Sequence, residues 1–87
     1  MKFEIPEHVT WKNLDSGYVL LDLRSSNYYT LNETASFIWQ HIIEEKDFEQ
    51  ISTLMLETYD CEQDHVRKDI QEQLDFLIKE NLLKVNY

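Results

Sequence analysis

Along its first third the chain alternates apolar and polar positions with a period of two. Val9–Leu14 sets Val9, Trp11 and Asn13 against Thr10, Lys12 and Leu14, the two-sided spacing of a strand. Tyr18–Leu23 is aromatic and aliphatic enough for a second strand, and Tyr28–Leu31, with Asn27 before it, reads as a third. Asp15-Ser16-Gly17 and Arg24-Ser25-Ser26-Asn27 are the intervening turns, and the one glycine falls where a positive φ is suited. Three strands joined by two tight turns make an antiparallel meander. The third strand lies at its edge unless the N-terminal segment or another chain covers it.

At Asn32 the period changes to that of a helix. Ala35, Ile38, Trp39, Ile42 and Ile43 recur at i, i+3, i+4, i+7 and i+8. Asn32 suits an N-cap and Glu33 the positive end of the helix, while Thr30 and Glu33 also fit a capping box that would start it two residues earlier. Asp47 caps a second helix with Phe48, Ile51, Leu54 and Met55 inward, ending near Tyr59. A third helix spans about Gln63 to Asn81, with Val66, Ile70, Leu74, Leu77 and Ile78 on one face, and Leu82–Val85 closes as a short extended segment. The expected fold is α+β and winged-helix-like: a three-stranded antiparallel sheet followed by three helices, which must cover one sheet face because neither layer buries its apolar side alone.

Composition narrows the function. Eighty-seven residues, 43% hydrophobic and with one Gly and one Pro, are expected to form a single domain over residues 1–87. Seventeen acids against eight bases give a net charge of −9, which argues against nucleic acid and anionic membrane as partners. Residues 32–60 concentrate the acidity, with seven acids and one base. From Glu62 to Glu80 there are six acids and three bases, a poor footprint for a helix in a DNA groove. No apolar run approaches the roughly 18–20 residues of a membrane span, and the N-terminus does not read as a signal peptide, so the expected location is cytoplasmic.

Chemistry is sparse. Cys61 cannot form an internal disulfide, and its neighbours Asp60 and Glu62 are the wrong setting for a reactive thiolate; it reads as a small buried residue where the second and third helices join. His8, His41 and His65 have no helical metal-site spacing, Glu44, Glu45, Asp47 and Glu49 match no calcium loop, and one glycine cannot build a phosphate-binding loop. The expectation is no catalytic residue, no metal and no cofactor. What remains is surface. Asn27, Tyr28, Tyr29, Thr30 and Leu31 form an edge that can template a further strand. Tyr29 and Leu31 share one face, Tyr28 and Thr30 the other. On the third helix Phe76 falls about 120° from the centre of the apolar stripe, on the flank of Asp69 and Gln73, where a large apolar residue needs a cover from this chain or a partner.

These residues also carry a resemblance. Tyr18–Leu23, the polar turn, Tyr28–Ala35, Ile38-Trp39, and the leucines Leu74, Leu77, Leu82 and Leu83 around Asn81 resemble the PqqD-like family; the likeness covers about residues 9–85. The family implies a recognition element for ribosomally made, modified peptides, binding the precursor's leader as an added strand on the third strand against the third helix. The third strand maps to Asn27–Leu31, and Val66, Asp69, Ile70, Gln73 and Leu74 are expected to line the opposite wall. Asp22-Leu23-Arg24 stands where members serving quinone-cofactor synthesis usually carry Pro-Glu, so the chain is more similar to stand-alone recognition proteins of lasso-peptide clusters, which act with a leader peptidase and a cyclase. Ser26-Asn27 replaces a frequent turn glycine, where Asn27 tolerates positive φ, and Asn81 replaces a frequent helix-ending glycine. Alternatives are a peptide chaperone for a radical SAM enzyme, an acidic winged-helix regulator acting through protein contacts, and a small enzyme using Cys61. An open edge also allows a homodimer.

Overall fold

Antiparallel pairing organises the N-terminal part of the chain in the computed structural model, which describes residues 2–86. The elements are β1 (Lys2–Glu4), β2 (Val9–Leu14), β3 (Gly17–Asp22), β4 (Asn27–Thr30), α1 (Glu33–Ile43), α2 (Phe48–Thr58), α3 (Gln63–Lys79) and β5 (Lys84–Asn86). The meander has the order β2-β3-β4, with rows Trp11–Leu20–Tyr29 and Thr10–Leu21–Tyr28 running across it. The first row shares the core face with Val9; the second lies on the opposite face.

One pairing was not legible in the sequence. β1 pairs antiparallel with β5, placing Phe3 opposite Val85. Three residues are too few for an alternation to show, yet the pairing buries Phe3 and closes the chain ends over the core. Leu82 and Leu83, read from sequence only as an extended tail, are core residues beneath it.

Local signals set the helix ends. Asn32 caps α1 by accepting a hydrogen bond from the Ala35 N–H at 2.9 Å, which fixes the start at Asn32 rather than Thr30. Asp47 caps α2 in a reciprocal capping box with Gln50. α3 ends at Lys79, two residues before the expected Asn81. There the Asn81 N–H bonds to Ile78 O and the Leu82 N–H to Leu77 O, with Asn81 at φ 62°, a Schellman ending. The turn before β4 differs from expectation: the positive φ falls on Ser26, not Asn27.

The core joins Leu20 and Leu31 of the meander region to Ala35, Ile38, Trp39 and Ile42 of α1, Ile51 and Met55 of α2, and Val66, Ile70, Leu74 and Leu77 of α3. Trp11 packs edge-on to buried Trp39, centroids 5.8 Å apart. Phe48, Leu54 and Ile43 are half-buried rather than fully inward, and Ile78, expected on the buried stripe, is 40% exposed. Ile78 lies about 80° from Ile70, on the edge of the stripe where α2 no longer covers it. Arg67 ties α3 to α2 through two 2.9 Å hydrogen bonds to Glu49, with its guanidinium 4.8 Å from the Phe48 ring centroid.

Candidate functional site

β4 has one neighbour, β3, and no other segment among the described residues pairs with it. The Leu31 N–H bonds to Tyr18 O at 2.9 Å. Alternation from that bond aims the backbone groups of Asn27 and Tyr29 at β3. The N–H and C=O groups of Tyr28 and Thr30 therefore face the open edge. Two residues thus present the donor and acceptor row that an added strand requires.

Local sequence explains how the edge is held. At its start, Asp22 accepts from the Arg24 N–H at 2.9 Å, and the Ser26 N–H bonds to Asp22 O at 2.7 Å. Asp22 is 5% exposed. Burial pushes its carboxyl up, but backbone hydrogen bonds from Arg24 and Ser25, with the charges of His8 and Arg24, outweigh that and leave its pKa below the ordinary value. At the other end Ser36 takes the Tyr18 N–H at 3.0 Å and donates to Leu31 O at 3.2 Å. A single hydroxyl thereby joins the start of β3 to the β4–α1 junction.

The side chains of the edge diverge as their alternation predicts. Leu31 is buried, and Tyr29 is half-buried toward the helices. Tyr28 is 71% exposed on the outer face, and Asn27 and Thr30 are exposed. Tyr29 meets Phe76 of α3 edge to face, centroids 6.1 Å apart. This contact brings β4 and α3 together. Phe76 remains 41% exposed, so Tyr29 covers it in part.

The wall requires a correction. Val66, Ile70 and Leu74 are at most 2% exposed; they are the packed interior beneath α3 and offer no surface to a peptide in this structure. The centre of an amphipathic stripe faces its own core, so a peptide-facing wall belongs to the flank. Of the expected set, Asp69 and Gln73 are half-buried there, beside Phe76, which the off-stripe angle singled out but the expected wall omitted. Asp69 Oδ2 lies 3.4 Å from His65 Nε2.

Cys61 is half-buried, with its thiol 3.8 Å from Tyr59 O. Among the described residues no group of His, Cys, Asp and Glu is placed to hold a metal ion, and no helix is long and apolar enough to cross a membrane.

Known proteins match this architecture along nearly its whole length. The solved structure of TbiB1 in complex with the TbiA(beta) leader peptide superposes with a TM-score of 0.91 at 27% identity, covering 97% of this chain and 98% of that one. A lasso peptide synthetase B1 complexed with the leader peptide gives a TM-score of 0.91 at 25% identity, covering 98% of this chain and all of the other. A search of curated proteins finds no match. The family model for coenzyme PQQ synthesis protein D matches residues 17–83, from the glycine that opens β3 through the buried leucines after α3, and the chain belongs to the PqqD family.

Proposed function

We propose that this chain is a non-catalytic binding protein that captures the leader of a ribosomally made precursor peptide as a fourth strand on β4 and presents it to enzymes acting in trans. The observation that carries the reading is the open Tyr28–Thr30 edge beside the Tyr29–Phe76 pair, in a fold that matches two leader-bound proteins at a TM-score of 0.91. Backbone pairing supplies affinity with little regard to sequence, and the aromatic pair supplies a place for one apolar side chain. The likeness to a lasso peptide synthetase B1 favours lasso-peptide biosynthesis, with a leader peptidase and a cyclase as the enzymes served.

Titration calorimetry with synthetic leader segments of short precursor peptides encoded in the same genome tests the reading. Phe76→Ala is the informative variant, because Ile70→Asp would place a charge in the core and report on folding instead. Loss of the aromatic contact is expected to weaken binding about tenfold, equivalent to about 1.4 kcal/mol, with the fold retained. Thr30→Pro removes one outward N–H without breaking the ladder to β3 and is expected to weaken it comparably. Unchanged binding by both variants would exclude this edge.

A further inference from the structure

The proposed groove has a charge pattern that specifies its occupant further. Phe76 and Asp69 lie seven residues apart on one flank of α3, about 120° and 100° from Ile70 on the same side, and about 10 Å apart along the axis. The bases of α3 lie elsewhere: Arg67 is engaged with Glu49 of α2, and Lys68 and Lys79 project about 160–180° from the buried stripe. The strand wall, Asn27–Thr30, carries no charge. His8 Nε2 donates to Asn81 O at 2.8 Å, and the Leu23 N–H bonds to His8 O at 2.8 Å. These bonds hold the end of α3 against the β3–β4 turn. The Asn27 end of β4 therefore lies toward Asn81, and its Leu31 end lies toward the N-terminal half of α3, where Asp69 is. Asp69 keeps 40% of its side chain exposed, and the one basic side chain within 4 Å of its carboxylate among the described residues is the His65 ring, itself 68% exposed.

Resting on the reading above, we propose that Asp69 is a specificity-determining residue. The peptide seated on β4 sets an apolar side chain against Tyr29 and Phe76 and pairs a Lys or Arg with Asp69. Side chains return to one face of a strand every two residues, at about 6.6 and 13 Å. The basic residue therefore stands two or four positions from the anchor, bracketing the separation of about 10 Å along the helix. A carboxylate at either position would meet Asp69 with like charge and be rejected.

Selection of randomised ten-residue peptides displayed on phage against the immobilised full chain, with sequencing of the binders, tests this. Expected among binders that carry an apolar anchor is a preference of about fivefold for Lys or Arg over Asp or Glu at one such position, the range of a half-exposed ion pair. The preference should vanish with Asp69→Asn and reverse with Asp69→Lys. It should persist with Asp75→Asn, which makes the same charge change about 120° around α3 from Asp69 and controls for the overall −9. Anchored binders with no basic preference, or a preference that survives Asp69→Asn, would overturn the inference and leave the groove intact. Binders that Thr30→Pro and Phe76→Ala retain equally, or an absence of anchored binders, would overturn the groove and the inference together.

Discussion

Gly17 opens β3 at φ +126°, a backbone conformation that side chains oppose. A Cβ there would stand 2.6 Å from Ser36 Oγ and 2.9 Å from Leu31 O, the two atoms that join β3 to the β4–α1 junction. Gly17→Ala is expected to cost about 2–3 kcal/mol, through strain and loss of the Ser36 bridge, read as a lower denaturant midpoint with an unchanged slope. Asp22 carries a pH signature. Its folded pKa lies below the ordinary value of 3.8, so its contribution is present above that value and is lost as pH falls through the lowered one. Thermal melts between about pH 6 and 2 are expected to show a steeper acid-side loss for the wild type than for Asp22→Asn, and parallel curves would contradict the assignment. Sequence alone located the glycine turn, whereas it placed Asp22 only inside the second strand Tyr18–Leu23 and gave no sign of its burial. Its role depends on amides of the following turn, which alternation does not reveal.

The helices were legible at their starts, where Asn32 and Asp47 announce themselves chemically, and less so at their ends. α1 closes in a second Schellman arrangement: the Glu45 N–H bonds to Ile42 O and the Lys46 N–H to His41 O, with Glu45 at φ 64°. A glutamate is a poor occupant of that conformation, and nothing in the run Glu44-Glu45-Lys46-Asp47 signals it. The left-handed region costs a non-glycine residue about 1–2 kcal/mol, part of which glycine's greater unfolded-state entropy offsets. Glu45→Gly is therefore expected to stabilise the chain by about 0.5–1 kcal/mol, measured by chemical denaturation; a loss of stability would contradict the end geometry. The edge strand was legible as an element because Asn27–Leu31 follows a turn and precedes a helix cap. The wall was less so. Period 3.6 identifies the stripe that a helix buries, and Val66, Ile70 and Leu74 belong to the core for that reason. The flank residue Phe76 was visible only as an anomaly, and the Tyr29 side chain that meets it needed three dimensions.

Across the whole molecule, the short chain closes its core with the pairing of β1 on β5 and leaves the meander open at β4. The acidity concentrated in residues 32–60 falls on α1, α2, their connection and, with Asp60, the segment after α2, whereas β4 itself carries no charge; it suits solubility or a basic partner enzyme. The chain belongs to the PqqD family and is similar to two proteins solved with leader peptides bound; the proposed reading is a protein that contributes an edge while the chemistry happens elsewhere. Residue-resolved amide hydrogen exchange with and without the leader peptide tests this most directly. In the free protein the Tyr28 and Thr30 amides, which face the open edge, are expected to exchange fast, while those of Tyr29 and Leu31, directed at β3, are protected. Leader binding should slow Tyr28 and Thr30 to the level of their neighbours. Protection arising at another surface while Tyr28 and Thr30 stay fast in the complex would contradict capture on β4.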